Sequence, residues 1–355
     1  MDFSTLLSPR IIAANYTEAS SNKIPYLGET LFPAEKTAGL DLSWVKAANA
    51  IPVSLKPSAY DAKATFRGLE GISITETEMP FFREGHKITE KDRRELLRIK
   101  DRNDPYLISV LNRIFDRAKN LIDGAAVVPE RMRMALLFPE NGNMTITFKA
   151  NGVNYTYNYD EDGEWKKNNY AALTSTALWS AAATADPIKD FIDMAEKARD
   201  ISGTEIKYAL MSPRTFQYMV ATDALKSRWL STAGINTGYI TPGEALSVIS
   251  QTTKITPITY GKKYKDESEA TKSFVPDGYV TFIPEGNLGS TWYGTTPEEA
   301  DLMSDSAAAE VSIVNTGVAI TIISNPHPVN KEIIASEIVL PSFEKMEEVV
   351  TLKVL

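Results

Sequence analysis

Histidine and cysteine, the side chains that most often carry nucleophilic, acid–base and zinc chemistry, are scarce in this sequence. Its 355 residues include no cysteine and two histidines, His86 and His327. The lack of cysteine excludes disulfides, thiolate metal sites and cysteine nucleophiles, and two histidines give little support to a zinc site or a Ser–His pair. His327 stands between two prolines and His86 in a charged stretch, so we predict that both lie in loops.

The remaining candidates for chemistry are carboxylates. The acidic run 160–164 resembles the start of a calcium loop, but it lacks the later bidentate glutamate. An Asp-Gly pair between two strands is the commonest hairpin turn, so we predict a turn there. The pairs Glu76/Glu78 and Glu298/Glu299 could be acid–base couples, but a chain with 46 acidic residues offers many such pairs. We therefore expect both pairs on solvated faces.

Charge and sequence motifs exclude further classes of protein. The 46 acidic residues outnumber the 38 basic ones, and the net charge of -8 argues against a mainly cationic nucleic-acid binder. The basic residues of segment 93–102 alternate with acidic ones, which predicts an ion-paired surface or a subunit contact. The sequence has no glycine-rich nucleotide loop, nucleophile elbow or zinc-protease motif.

The sequence also lacks targeting signals. Asp2 stands where a signal peptide needs positive charge. No window approaches the ~20 continuous apolar residues of a membrane-spanning helix. We therefore expect the protein to stay in the cytoplasm of the cell that makes it.

Residues 1–40 combine polar residues with isolated apolar anchors and have no sustained apolar period. This pattern predicts an extended arm. Because so many anchors would be costly to leave in water, we expect the arm to lie along a surface, its own or a neighbour's. The anchors are Leu6, Ile11, Ile12, Tyr26 and Phe32.

A second extended element follows the strand patterns that begin at Leu42. Residues 61–82 alternate apolar and polar side chains around Gly68 and Gly71, which predicts a two-stranded ribbon. An isolated ribbon with so few large apolar residues is marginally stable in water. We therefore expect the ribbon to pack against something outside its own domain.

The strongest helix signal covers residues 104–123. Asp104 is placed as the N-cap, Pro105 occupies the first helical position, and Gly124 is the stop signal. Apolar residues recur at helical spacing between them, which predicts the helix on which the domain is built. A second helix is predicted after it, over residues 129–138.

The rest of the chain alternates between β and mixed patterns. Residues 144–165 predict a β-meander, and residues 170–250 predict a compact α/β lobe in which Asp186-Pro187 and Ser212-Pro213 open helices. The C-terminal residues are almost entirely strand-like. Because sheet-forming residues flank the lobe on both sides, we predict a discontinuous domain into which the lobe is inserted.

This order of elements resembles the tailed-phage major capsid proteins, and specifically the lambda-type head protein family, capsid protein E. The similarity covers most of the chain from about residue 40 onward and lies in pattern and short phrases. The matching stretches are MTITFKANGVNYTYNYDEDGEW, DPIKDFIDMAEKARDISG, IKYALMSPRTFQYMVATDALKSRWL, FVPDGYVTFIPEGNLGSTWYGTTPEEADLM and ISNPHPVNKEIIASEIVLPSF.

The resemblance implies an α+β fold, the tailed-phage major capsid fold, with an N-terminal arm, an extended β-loop, a peripheral domain and an axial α/β domain. On this sequence the resemblance implies an arm at residues 1–40 and an extended loop at 61–82. The peripheral domain would comprise 41–60 and 83–150, with its spine helix at 104–123. The axial domain would cover 151–315, with the β-meander at its start, and residues 316–355 would form C-terminal strands that return to the peripheral domain.

The resemblance also implies a function, which is that of a major capsid (head) protein. Such a protein assembles as pentamers and hexamers into an icosahedral shell that packages double-stranded DNA, and it is not an enzyme and has no cofactor or metal. The implied partners are other copies of the chain, a separately encoded scaffold protein, a portal and possibly a decoration protein. The shell encloses DNA without sequence-specific binding, involves no membrane, and is assembled in the cytoplasm of a bacterial host.

For such a shell, the ribbon and the charged segment after it are the expected contacts between subunits. Many weak contacts, each scaling with buried apolar area at about 25 cal/mol per Å², add up over a closed symmetric assembly. The predicted inter-subunit contact residues are Phe66, Arg67, Leu69, Glu70, Arg93 and Arg94.

Two other functions stay open at this stage. One is a cellular nanocompartment shell of the same fold, which would hold an enzyme as cargo. The other is a two-lobed carbohydrate-active enzyme, in which Trp179, Trp229 and Trp292 would be stacking platforms beside a carboxylate pair. Tryptophans in helices and strands are more often core residues, which disfavours the enzyme.

Overall fold

The computed structural model of the chain describes residues 26–45, 74–88, 90, 105–150, 152–233, 240–303, 310–326 and 329–355. Within these ranges the helices are α1 Leu27–Leu31, α2 Pro105–Leu137, α3 Glu164–Asn169, α4 Pro187–Ser202, α5 Pro213–Val220, α6 Asp223–Ala233, α7 Pro242–Thr253 and α8 Pro297–Met303. Single 3-10 turns lie at Glu140–Gly142, Ser175–Ala177 and Met346–Glu348.

The strands in the same ranges are β1 Ala34–Lys36, β2 Asp41–Val45, β3 Ile74–Glu78, β4 Phe81–Ile88, β5 Thr145–Ala150, β6 Val153–Asn158, β7 Tyr170–Ala172, β8 Tyr208–Met211, β9 Thr256–Thr259, β10 Lys263–Lys265, β11 Thr271–Ser273, β12 Tyr279–Ile283, β13 Ser290–Tyr293, β14 Glu310–Val314, β15 Val318–Pro326, β16 Val329–Ser342 and β17 Val350–Lys353.

The chain divides into two compact units, each built from three stretches of sequence. The first unit comprises Met1–Ser43, Glu76–Arg131 and Ser290–Ser342, and the second comprises Trp44–Thr75, Met132–Gly289 and Phe343–Leu355. Residues 290–342 lie in the first unit and residues 343–355 in the second.

The first unit is organised by a six-stranded sheet in the order β1-β13-β16-β15-β14, with β4 beside β16. The long strand β16 is antiparallel to β15 along one edge, and along the other edge it pairs first with β4 and then with β13. The pairing of Trp292 with Leu340 places β13 in this unit. Strand β1 extends the sheet by running parallel to β13, with Glu35 opposite Trp292.

One face of this sheet packs against helix α2. Leu121 and Ile122 of the helix share a buried apolar cluster with Ile88, Ile320 and Ile333. These strand residues alternate with neighbours on the other face, as the two-residue period of a β-strand requires. The core of the first unit is therefore a helix laid on one side of a β-sheet.

Helix α2 is longer than the sequence predicted. The prediction ended the helix at Gly124 and began a second helix at residue 129, whereas the structure has one helix that passes through Gly124 and Pro129 to Leu137. An interior glycine costs about 1 kcal/mol and an interior proline about 3 kcal/mol. Leu121 before these residues and Met132 after them are both buried, and this burial outweighs the two local stop signals.

The second unit has a five-stranded sheet in the order β7-β17-β12-β8-β9. Strand β17 is antiparallel to β12 and parallel to β7, and its Val350 and Leu352 are buried in the core of this unit. This pairing holds the C-terminal residues in the second unit. Strands β8 and β9 are parallel and register Leu210 against Ile258.

The helices of the second unit begin and end where the sequence predicts. Asp186 caps α4 by accepting the backbone N–H of Lys189 at 3.2 Å, and the helix ends at Gly203, whose φ of 70° is left-handed. Ser212 caps α5 by accepting the N–H of Thr215 at 3.1 Å. The predictions for these two helices and for the buried strand between them are confirmed.

The predicted β-meander is only partly present. Strands β5 and β6 form an antiparallel hairpin in which Phe148 faces Tyr155, and Gly152 lies in its turn with a φ of 81°. A third strand does not follow Gly163, because helix α3 starts there. The carboxylate of Asp160 accepts the N–H groups of Trp165 and Lys166, which favours the first turn of a helix over a strand.

The aromatic cluster of the second unit allows a test of its core packing. Phe191 is fully buried and stacks on Trp179 with ring centroids 6.4 Å apart. It also forms a T-shaped pair with Phe282, with ring centroids 5.0 Å apart. We expect Phe191→Ala to lower the free energy of unfolding by about 3–5 kcal/mol because it leaves a cavity. Urea denaturation followed by tryptophan fluorescence measures this loss.

The neighbouring Ile192 is a matched control for that substitution. Its side chain is 40% exposed on the same helix. Ile192→Ala should change the free energy of unfolding by less than about 1 kcal/mol. Equal losses for Ile192→Ala and Phe191→Ala would show that the cluster around Phe191 is not the core of this unit.

Asp190 gives a pH-dependent prediction. Burial raises the pKa of its carboxyl above 3.8, although the Trp179 indole donates a hydrogen bond to it at 2.8 Å. Between the unfolded and the raised folded pKa, the folded state holds more protons, so stability falls as pH rises. Asp190→Asn keeps an oxygen acceptor for the indole and removes this titration. In urea melts the variant should gain stability relative to the wild type as pH rises above the unfolded pKa of an aspartate, about 3.9, and parallel curves would contradict the prediction.

Candidate functional site

The carboxylates of helix α8 are held in ion pairs. Glu299 Oε1 lies 2.5 Å from Lys36 Nζ of strand β1, and Glu298 accepts a hydrogen bond from Arg83 of strand β4. Glu299 is 3% exposed, so the prediction of a solvated face is wrong for it. Helix α8 packs on β14 and β15, which takes this carboxylate out of water. The arrangement stabilises structure and leaves no free acid–base couple at Glu298 and Glu299.

In the acidic run that begins at Asp160, the first carboxylate is engaged by the backbone. Both carboxylate oxygens of Asp160 accept backbone N–H groups at 2.9 Å, and the residue is 8% exposed. The carboxylate is therefore a cap of helix α3. Across the described ranges, no group of three or more histidine, aspartate or glutamate side chains could hold a metal ion.

The three tryptophans that a carbohydrate site would need are structural. Trp179 and Trp229 belong to the buried core of the second unit. Trp292 lies on strand β13 in the first unit, and its indole Nε1 donates to Ser342 Oγ at 3.0 Å. These placements confirm the core interpretation of Trp179 and Trp229 and remove the stacking platforms of the enzyme alternative.

The histidines do not form a site within the described residues. His86 lies on strand β4, opposite Ile333 of β16, and is exposed. The prediction of a loop at His86 is therefore wrong, because pairing with β16 makes this charged stretch an ordered strand. His327 lies outside the described residues.

A shallow surface depression of about 450 Å³ lies beside helix α4 in the second unit. Burial lowers the pKa of Lys197, whose Nζ donates to the carbonyl oxygen of Tyr170 at 3.2 Å. Lys167, Asp193 and Asp200 line the same depression, so its charges are mixed.

The predicted contact residues between subunits lie outside the described part of the chain. These residues are Phe66, Arg67, Leu69, Glu70, Arg93 and Arg94. The structure does describe the strands on either side of residues 46–73. Strands β2 and β3 pair with each other, and the N–H of Met79 donates to the carbonyl oxygen of Leu40 at 2.8 Å. The two ends of segment 46–73 are thus held together.

The strand that leads into this segment is fixed by an aromatic contact. Trp44 of β2 stacks on Tyr159 with ring centroids 5.6 Å apart and an interplanar angle of 29°. Tyr159 is partly buried, and desolvation raises the pKa of its hydroxyl well above 10.0, with smaller effects from Tyr157 and Glu344. A neutral, partly buried aromatic ring gives Trp44 a packing partner.

The described end of the predicted arm packs on its own subunit. Phe32 is fully buried, its carbonyl oxygen accepts the hydroxyl of Thr291 at 2.9 Å, and the N–H of Gly28 donates to Glu130 Oε1 at 3.1 Å. Strand β1 then joins the sheet beside β13. The sequence left open whether the arm lies on its own subunit or on a neighbour. Residues 26–36 lie on their own subunit.

The segments next to the arm and next to the loop come together at Gly294. Reasoning from the sequence did not identify this residue. A Cβ atom on this glycine would lie 2.7 Å from the carbonyl oxygen of Gly39, 2.7 Å from Cγ2 of Ile338 and 2.9 Å from Cε of Met79. Only glycine fits so close an approach without displacing its neighbours. The signal available in the sequence, a glycine three residues before the helix start at Pro297, indicates a turn but not this close packing.

Comparison with known proteins identifies the family. The family model for phage major capsid protein E matches residues 12–354. No curated protein sequence matches the chain. Within the described residues, no helix is long and apolar enough to cross a membrane.

Solved structures with the same fold come from phages and prophages. A candidate prophage capsid protein of E. coli CFT073 is 14% identical with a TM-score of 0.61, and the alignment covers 98% of this chain and 99% of that chain. A phage-related protein of Bordetella bronchiseptica RB50 is 13% identical with a TM-score of 0.56, covering 98% and 97%. The capsid protein of cyanophage A-1(L) is 9% identical with a TM-score of 0.56, covering 94% of both chains.

These similarities confirm the predicted α+β fold of tailed-phage capsid proteins. At identities of 9% to 14%, the structural likeness is one of fold, and the family match supplies the function. The family and the fold are those of structural capsid proteins. Because the family model covers nearly the whole sequence, the chain belongs to the phage major capsid protein E family and is a shell-forming phage capsid protein.

Proposed function

We propose that the chain assembles as pentamers and hexamers into an icosahedral shell that packages double-stranded DNA. The observation that carries the proposal is the family match over residues 12–354. Identical subunits close a shell through repeated symmetric contacts. The net charge of -8 suits a container, because a shell encloses DNA without neutralising its phosphates.

In this proposal the extended loop reaches a neighbouring subunit. The pairing of β2 with β3 supports this role, because it brings both ends of segment 46–73 to one place on the subunit. A ribbon with few large apolar residues gains stability only from a partner. Residues 1–40 serve as the arm, of which residues 26–36 stay on their own subunit.

The contacts themselves are weak individually and numerous. We propose that Phe66 and Leu69 bury apolar area on the neighbour at about 25 cal/mol per Å², flanked by Arg67 and Glu70. Arg93 and Arg94 add charged contacts at the same interface. Side chains of this kind set orientation and partner choice more than they set affinity.

The two units take different positions in the proposed shell. The first unit, with helix α2 as its spine, acts as the peripheral domain. Most of the second unit acts as the axial domain, which faces the centre of each pentamer or hexamer. The five-stranded sheet with helices α4 and α7 packed on it gives that position a rigid body.

Assembly of this shell involves further partner proteins and takes place in a particular compartment. We propose a separately encoded scaffold protein, a portal at one vertex and a decoration protein as partners, with assembly in the cytoplasm of the bacterial host and the virion capsid as the final location. The chain works through its interfaces and takes no catalytic role in the proposal. The ion-paired glutamates of α8 and the capping role of Asp160 support this view.

Deletion of residues 64–73 tests the role of the loop. The deletion spares strand β3, which starts at Ile74. The variant subunit should fold, with a circular dichroism spectrum and thermal midpoint close to the wild type, but it should not form closed shells, because its contact with the neighbour is lost. Size-exclusion chromatography with light scattering and negative-stain microscopy measure the assembly state.

A replacement of residues 64–73 by glycine and serine at the same length is the matched control for chain length. It should also fail to close shells, because side-chain contacts and not loop length hold the neighbour. Closed shells of normal size from either variant contradict the proposed role of the loop.

The contents of purified shells test the packaging role. Shells made with the neighbouring genes of the phage should contain double-stranded DNA that resists nuclease. Shells that hold a folded enzyme and no DNA would instead indicate a cellular nanocompartment. A wild-type chain that remains a monomer under every assembly condition would refute the shell itself.

A further inference from the structure

Two adjacent carboxylates at the start of helix α8 bind two different strands of the first unit. Glu299 Oε1 pairs with Lys36 Nζ of β1 at 2.5 Å, and Glu298 Oε1 pairs with Arg83 of β4. Strand β1 lies in the last part of the arm, and Arg83 of β4 directly follows the loop. One helical turn therefore contacts the bases of both segments.

Local helix chemistry explains only part of this arrangement. Acidic residues in the first turn of a helix interact favourably with its dipole, and the N–H of Glu299 is already capped by Thr296 Oγ1 at 3.3 Å. A solvent-exposed position would serve the dipole equally well. The Glu299 side chain is instead 4% exposed, and a carboxylate so buried needs a close cationic partner, which Lys36 supplies.

Arg83 is fixed in place from a second side. Its guanidinium carbon lies 4.6 Å from the centroid of the Phe81 ring, two residues earlier on the same strand. A guanidinium that stacks on an aromatic ring loses little further freedom when it binds a carboxylate. The Glu298–Arg83 pair therefore fixes the orientation of β4 and also contributes electrostatic attraction between α8 and β4.

The backbone just before α8 reinforces the same connection. Gly294 packs against Gly39 on the arm side and against Met79 on the loop side, at distances that leave no room for a Cβ atom. Its N–H donates to the carbonyl oxygen of Ile338 at 2.9 Å, which ties it to β16. Residues 294–299 thus contact both bases through backbone packing and through charge.

We infer that Glu298 and Glu299 are positioning residues for assembly, which set the base of the arm and the base of the extended loop in one fixed relation within the subunit. The inference rests on the proposed function, because it assigns these residues to segments that contact neighbours. If the arm and the loop took up their directions independently, a neighbouring subunit would meet many different relative orientations of the two. A shared support leaves one relative orientation and lowers the entropy cost of ordering each contact.

Hydrogen exchange of the unassembled subunit tests the shared support. Glu299→Gln should speed amide exchange in residues 34–37 roughly tenfold, since a nearly buried pair is broken, and it should also speed exchange in residues 81–84. Glu298→Gln should show the reciprocal pattern. If each substitution affects only the strand that it touches, the inference is wrong.

A double-mutant cycle between Glu299→Gln and Arg83→Met makes the coupling quantitative. Glu299 pairs with Lys36, and Arg83 pairs with Glu298, so independent ion pairs would give additive effects on exchange. A single support gives a non-additive effect in both strands. Glu332→Gln is the matched control, because Glu332 pairs with Lys87 at 3.1 Å on the same sheet but away from α8.

Assembly of the double variant Glu298→Gln/Glu299→Gln completes the test. The variant should fold and yield several-fold fewer closed shells than the wild type, while Glu332→Gln should assemble normally. Normal closure by the double variant, despite faster exchange in both strands, overturns the positioning role. If the wild type forms no shells, the proposed function fails together with that role, and the exchange data still decide whether the two strands share one support.

Discussion

Strand β16 is the constraint on which the first unit depends. It pairs with β15 along one edge and with β4 and then β13 along the other, so one strand sets the register of three neighbours. A shift by one residue would exchange its two faces and turn Ile333 away from the core that it forms with helix α2. The register therefore fixes where β4 leaves the sheet and, through β13, where β1 joins it. The arm and the loop inherit their starting points from this single strand.

The second unit obeys a different constraint. Strand β17 lies between β7 and β12, with Val350 and Leu352 in the core. This unit is therefore complete only when β17 has joined the sheet. The sheet around it is edged by strands that discourage pairing with further chains. Strand β9 contains Pro257, which lacks an N–H, and β7 is three residues long.

Polar side chains serve architecture in this protein, and they include Asp160, Glu298 and Glu299, which the sequence offered as candidates for chemistry. Asp160, Asp186 and Ser212 cap helices, and Glu298 and Glu299 bind strands. Each of these groups accepts a backbone N–H at the start of a helix or pairs with a cationic side chain. The carboxylates of Glu298 and Glu299 connect elements that are distant in sequence.

The sequence by itself determined the elements whose signals are local. The caps and stops of α4 and α5, the alternation of the C-terminal strands and the phrases shared with capsid proteins are all carried by neighbouring residues, and the family and fold followed from them. Tertiary structure decided what depends on distant partners. Helix α2 continues through Gly124 and Pro129 because residues on both sides of them are buried, His86 lies in a strand because β16 pairs with it, and Glu299 is buried because Lys36, 263 positions away in sequence, neutralises it. Local propensities of about 1 to 3 kcal/mol cannot predict such outcomes, because burial and pairing with remote residues contribute as much or more.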